Sequence, residues 1–191
     1  MSRAAFLDRD GVINRKAPDG EYVTRLEDFM ILSGVPKAIT MLNKAGFRVI
    51  VVSNQRCVAK GLITITGLEM LHQGMCDELA TAGAMIDGVY YCPHEELPRC
   101  NCRKPAPGML LRAAEERHLD LKMSWMIGDS ESDIQAGKNA GCKTARVVGQ
   151  DRIADSIADV TALSLVEAIH RIFQREGIIA VPVDGDGEAV S

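Results

Sequence analysis

The chain has 191 residues, 47% hydrophobic and 25% charged, which suits one ordinary globular domain with enough chain to bury a core. Its net charge of −4 supplies no basic face for nucleic acid or an anionic membrane surface, so neither is expected as a partner, while small polar or anionic ligands stay open. No run approaches ~20 apolar residues and the first residues lack the basic-then-apolar order of a signal peptide, so a cytoplasmic protein is expected.

In chain order, residues 3–7 read as a strand, 35–45 as a helix between Ser33 and Gly46, 48–52 as a strand and 67–82 as a helix. Strands over 88–91, 125–127 and 144–148 then alternate with helices over 108–117, 134–140 and 165–175. The strands are almost continuously apolar, as buried parallel strands are, and the alternation predicts a doubly wound α/β sheet. Such sheets bind ligands beyond the carboxyl ends of their strands, where the connections diverge. A single domain over 1–175 is expected, acting as a monomer, with a frayed Gly- and acid-rich tail over 176–191.

Polar residues fall at those strand ends. Asp8 and Asp10 follow the first strand, Ser53-Asn54-Gln55 the second, Arg103-Lys104-Pro105 the third after a cysteine-containing loop, and Gly128-Asp129 the fourth. Alone, each fits a turn or a helix cap. Together they aim several carboxylates at one crevice, where they repel unless a cation joins them, and all-oxygen ligation suits Mg²⁺. A metal beside a hydroxyl and a lysine is an anion trap, most naturally for phosphate.

The six cysteines are unevenly spread. Cys92, His94, Cys100 and Cys102 place three thiolates and one imidazole within eleven residues, a Cys₃His set suited to closed tetrahedral zinc. Such a zinc braces its loop and does no chemistry. Cys57, Cys76 and Cys142 read as buried inert thiols, and His72, His118 and His170 as surface or half-buried side chains without partners.

Asp8-Arg9-Asp10-Gly11-Val12, Ser53-Asn54-Gln55, Lys104-Pro105 and Gly128-Asp129-Ser130-Glu131-Ser132-Asp133 resemble, in order, the four motifs of the haloacid dehalogenase (HAD) superfamily of phosphatases. The resemblance implies a HAD-like, Rossmann-type domain without a large cap. It implies Asp8 as the nucleophile that forms an aspartyl-phosphate, and Asp10 as the acid that protonates the leaving alcohol and then activates water. Ser53 and Lys104 would hold the phosphoryl oxygens, while Asp8, the Asp10 carbonyl and Asp129 would bind Mg²⁺. Asp133 would stand behind them; as a first-turn carboxylate it also simply favours a helix dipole.

The zinc loop, with Tyr90-Tyr91-Cys92-Pro93-His94 and Cys100-Asn101-Cys102-Arg103-Lys104-Pro105, is similar to the histidinol-phosphate and heptose bisphosphate phosphatase group, the heptose members more so. This implies a small phosphorylated sugar as substrate, loss of a 7-phosphate from heptose 1,7-bisphosphate, and a flap at Asp19, Gly20, Glu21 and Tyr22. Substrate contacts would also come from Arg9, Asn54, Gln55, Arg56 and Arg103. Arg56 and Cys57 depart from the family's Ser-Gly, and Lys60 from its Arg. If the missing glycine takes φ > 0, Cys57 is strained or the loop redrawn. Histidinol phosphate, another small phosphomonoester, or a non-catalytic sugar-phosphate sensor are the alternatives.

Overall fold

The computed structural model describes residues 1–95, 100–149 and 156–179. Among these, six parallel strands lie in the order β3-β2-β1-β4-β5-β6, namely β1 Ala4–Leu7, β2 Arg48–Asn54, β3 Gly88–Cys92, β4 Trp125–Gly128, β5 Lys143–Val147 and β6 Val160–Ala162. Helices α1 Val35–Lys44, α2 Ile65–Thr81 and α5 Leu165–Glu176 contribute to the core on one face of the sheet, and α3 Gly108–Arg117 and α4 Glu131–Ala140 to the core on the other.

Strand side chains alternate between faces, so Ala5, Leu7, Val49 and Val51 meet the first helix layer while Ala4, Phe6, Ile50 and Val52 meet the second. Both faces being covered, all four residues of β1 are buried, which explains its unbroken apolar run. β1 pairs with both β2 and β4, so the chain after β1 emerges where the sheet's connections part to opposite sides. Only a single 3-10 turn, Leu26–Asp28, lies between β1 and α1. No cap domain is inserted there.

The expected doubly wound sheet is the one found, with local differences that have physical causes. β6 has three residues, too few to show a pattern, and its partners are supplied by β5. α4 begins at Glu131 rather than 134 because the backbone N–H of Ser130 donates to Asp133 Oδ2 at 3.0 Å, satisfying an N-terminal group with a polar side chain. α2 begins at Ile65 because the Thr64 hydroxyl accepts from the Gly67 N–H. α1 is capped by Gly34 in the left-handed region, not by Ser33. α5 takes in Glu176 and ends on Gly177 at φ +65°, so residue 176 is helical, and of the tail expected over 176–191, residues 180–191 lie outside the described residues. No helix among the described residues is long and apolar enough to cross a membrane.

Candidate active site

The ends of β1, β2 and β4 and the segments after them line a cleft of about 320 Å³. Asp8, Arg9, Asp10, Ser53, Asn54, Arg103, Lys104 and Asp129 all reach it, and Asp19, Gly20, Glu21 and Tyr22 also line it. Of the expected substrate contacts, Gln55 and Arg56 do not line it. Gln55 is buried behind and donates to Asp10 Oδ2 at 2.9 Å and to Ser53 Oγ at 2.7 Å. With Ser53 Oγ accepting there, its own proton is available toward the cleft. Arg56 turns instead to Glu95, with Nε 3.2 Å from the carboxylate.

Lys104 is the electrostatic centre. Its buried ammonium lies 2.6 Å from Asp8 Oδ1 and 2.6 Å from Asp133 Oδ1, and donates to the Val52 carbonyl at 2.8 Å. Burial works against that charge, but the Asp133 and Asp8 carboxylates outweigh it and hold the ammonium above the ordinary lysine range. Burial pushes the Asp8 carboxyl up to about 7 against the pull of Lys104, with Asp133 and Asp129 adding to the rise. Asp10 moves the other way. Burial opposes its charge, yet Arg9 Nη2 donates to both its oxygens at 2.8 Å, Asn14 adds a bond at 3.0 Å, and the carboxyl is held below the usual range.

Asp8, Asp129 and Asp133 present carboxylate oxygens within 4.8 Å of one another. Asp133 is committed, one oxygen to Lys104 and the other to Ser130 N and Oγ, which leaves Asp8 and Asp129 open to a cation. Burial pushes Asp129 up as well, in spite of Lys16, whose Nζ lies 3.3 Å away. Two carboxylates made costly to ionise by burial and by neighbouring carboxylate charge are a donor set that a hard divalent cation would relieve. Gly11 makes room for it: at φ +96° it has no side chain, and a Cβ would stand 2.5 Å from Asp129 Oδ2.

The cysteine loop also closes on itself. Cys92, Cys100 and Cys102 Sγ lie 3.6, 3.4 and 3.3 Å from His94 Nδ1, and Cys100 lies 3.5 Å from Cys92 and 3.2 Å from Cys102. Ligands about 2.0–2.3 Å from a common centre sit at nearly these separations in a tetrahedron, so the four groups could hold a metal. Arg103 and Lys104 follow directly, Arg103 Nη1 donating to the His94 carbonyl at 3.4 Å. Residues 96–99 of this loop lie outside those described.

Comparison with known proteins gives this geometry its relatives. Residues 101–160 match a family model described as "HAD-hyrolase-like". D-glycero-beta-D-manno-heptose-1,7-bisphosphate 7-phosphatase of Rhodopseudomonas palustris is 43% identical over 155 residues, covering 78% of this chain and 84% of that one. The enzyme of the same name from Escherichia coli K12 is 39% identical over 176 residues, covering 82% and 91%. The chain belongs to the heptose-bisphosphate phosphatase family of HAD-like hydrolases. Among solved structures, D,D-heptose 1,7-bisphosphate phosphatase from B. bronchiseptica, complexed with magnesium and phosphate, superposes with a TM-score of 0.82 at 31% identity, covering 91% of this chain and 99% of that one.

Within this heptose-phosphatase chain, the Arg56-Cys57 departure leaves no strained backbone. Cys57 is absent from the left-handed region, which only His118 among described non-glycine residues enters, and its buried thiol donates to Gln55 Oε1 at 3.4 Å. The loop turns at Gly61, φ +69°, instead. Three site residues were not expected from the sequence. Lys16 lines the cleft beside Asp129, and Asn14 holds Asp10; both sit in a connection whose pattern carries no periodicity. His72, expected at the surface or half-buried and without a partner, is buried and lies 3.3 Å from Arg9. The signal was present: Leu68, Leu71, His72, Met75 and Leu79 form one inward helical stripe.

Proposed function

We infer that this chain is a phosphatase that removes the 7-phosphate of D-glycero-beta-D-manno-heptose 1,7-bisphosphate. The observation that carries the reading is the Lys104 ammonium lying 2.6 Å from both Asp8 and Asp133 at the floor of the cleft. A buried cation beside the Asp8 carboxylate receives the charge of a phosphoryl group where a nucleophile is ready to meet it. The 7-phosphatase activity of the relatives supplies the substrate.

In this reading an Asp8 oxygen attacks phosphorus, the bond from phosphorus to the sugar oxygen breaks, and that oxygen takes a proton from Asp10. Asp10, ionised again, then takes a proton from water, whose oxygen attacks phosphorus and frees Asp8 and phosphate. Arg9, Asn14 and Gln55 favour the ionised form of Asp10 that the second step uses. The charge of an incoming phosphate dianion pushes toward the protonated form that the first step uses. Ser53 and Lys104 hold the phosphoryl oxygens through both steps. Asp8, Asp129 and the Asp10 carbonyl would hold Mg²⁺, and Cys92, His94, Cys100 and Cys102 would hold Zn²⁺. Bound Mg²⁺ would draw charge from the phosphoryl oxygens and offset the repulsion between carboxylates and phosphate.

The deciding experiment measures phosphate release by the purified chain with Mg²⁺ from both anomers of heptose 1,7-bisphosphate and from histidinol phosphate. The β-bisphosphate is expected to give the highest kcat/KM. Faster turnover of histidinol phosphate would overturn the substrate, and no release from any ester would overturn the activity.

A further inference from the structure

We propose that His72 is a positioning residue for phosphoryl transfer: it accepts a hydrogen bond from Arg9 and so fixes the guanidinium that orients the Asp10 carboxylate. The proposal rests on the reading of Asp10 as proton donor to the leaving alcohol.

The three side chains form a relay running from buried His72 on α2 through buried Arg9 to half-buried Asp10 at the cleft. Arg9 is 1% exposed, one terminal nitrogen 3.3 Å from His72 Nε2 and the other across both oxygens of Asp10 at 2.8 Å. Arginine has only donors, so Nε2 must be the acceptor and Nδ1 carries the ring proton. Arg9 Nε has no hydrogen-bond partner among the described residues. The guanidinium is therefore held at two points, one of them His72. The Phe29 ring, 5.7 Å from Cζ, also attracts the charge but sets no direction.

His72 itself is well placed to be rigid. It sits in the inward stripe of α2, with its ring centroid 5.5 Å from that of Tyr91 on β3 and tilted by 54°. Burial pushes its imidazole down to about 3, and the charge of Arg9 adds to this, so the acceptor form is the one present at neutral pH. Take away the acceptor and Arg9 keeps only Asp10, turning a fixed two-point guanidinium into one that can swing with the carboxylate. Asp10 then loses the orientation that a proton transfer over hydrogen-bond distance demands.

The consequence is specific to the leaving group. An alkoxide must be protonated as it departs, whereas p-nitrophenolate leaves without help, and kcat/KM reports the steps up to that departure. His72→Leu removes the acceptor and His72→Gln keeps one. In the Mg²⁺-loaded full chain, His72→Leu is expected to lower kcat/KM on the heptose bisphosphate by roughly tenfold or more, and on p-nitrophenyl phosphate by no more than about threefold. His72→Gln should recover most of the loss on the sugar ester. If His72→Leu does not fold, His72→Phe, which keeps the ring against Tyr91, carries the same comparison. Equal losses on the two esters, no loss, or a His72→Gln as poor as His72→Leu would overturn the proposal alone. A wild-type chain that releases no phosphate from either ester would overturn the proposed function and this inference with it.

Discussion

Asn54 and Lys104 clasp one another by two opposed hydrogen bonds, Asn54 Nδ2 donating to the Lys104 carbonyl and Lys104 N donating to Asn54 Oδ1, each at 3.1 Å. Fifty residues apart in sequence, they join the end of β2 to the segment that follows the cysteine loop. Asn54→Ala leaves both backbone groups unpaired, at a cost of about 1–3 kcal/mol. A thermal melt should show a loss of roughly 2–4 °C for each kcal/mol. Because Lys104 is displaced as well, turnover should fall further than stability. Unchanged kcat in a destabilised variant would show that the clasp supports the fold only.

Asp8→Asn is expected to lower kcat by more than about a thousandfold while the chain stays folded, since an amide is close in shape but does not attack phosphorus. The fold should tolerate it because Lys104 keeps its ion pair with Asp133 and its bond to the Val52 carbonyl. Circular dichroism beside phosphate release separates the two effects. Retained turnover would exclude attack by Asp8.

The Cys₃His cluster is expected to carry one zinc per chain, measured by elemental analysis of protein purified without added metal. Cys100→Ser should lower the zinc content and reduce Tm by more than about 5 °C, because metal-binding energy is folding energy. Arg103 and Lys104 begin one residue past Cys102, so KM should rise as well, with the Mg²⁺ requirement unchanged. Full activity with no bound metal would remove the zinc assignment.

His72 makes a pH prediction. Burial pushes its folded pKa down to about 3, with Arg9 adding, whereas the unfolded chain titrates near about 6.5. Below about 6.5 the unfolded state takes up a proton that the folded state refuses, so this group's stability is complete above that pH and is lost as pH falls toward about 3. The slope is about 1.4 kcal/mol per pH unit in that window. Denaturant unfolding at pH 7 and pH 5 should show the native chain losing about 2 kcal/mol more than His72→Gln. Identical losses in the two proteins would show that His72 titrates normally in the fold.

The legible parts of this molecule are those where chemistry and backbone coincide. Asp8 and Asp129 directly follow β1 and β4 and Ser53 lies near the end of β2, and an apolar run followed at once by a charged or hydroxyl residue displays both the strand end and its candidate chemistry; Lys104 is reached only past the cysteine loop after β3. Gln55 and Arg56 stood in the same kind of position but do not reach the cleft. β2 carries through Asn54, and past its end Gln55 turns inward behind Ser53 while Arg56 finds Glu95. Where a side chain goes after a strand ends is decided by contacts distant in sequence. His72 was misread for the opposite reason: its place in a helical stripe was visible, but Arg9, sixty-three residues away, is what makes burying it tolerable. The onset of α4 was placed too late because Asp133, read in the first turn for its effect on the helix dipole, also accepts from the Ser130 N–H and so draws the helix start back to Glu131.

That double duty of Asp133 has a further consequence. One oxygen ties off the first turn of α4 at Ser130 and the other grips Lys104, so a single carboxylate belongs to the scaffold and to the reaction centre at once. Fraying at that helix end draws the carboxylate away and leaves the Lys104 ammonium to Asp8 and the Val52 carbonyl. The proposed reaction centre is therefore expected to loosen as the first turn of α4 frays on heating, so that a curve of thermal inactivation would serve as a thermometer for one turn of one helix.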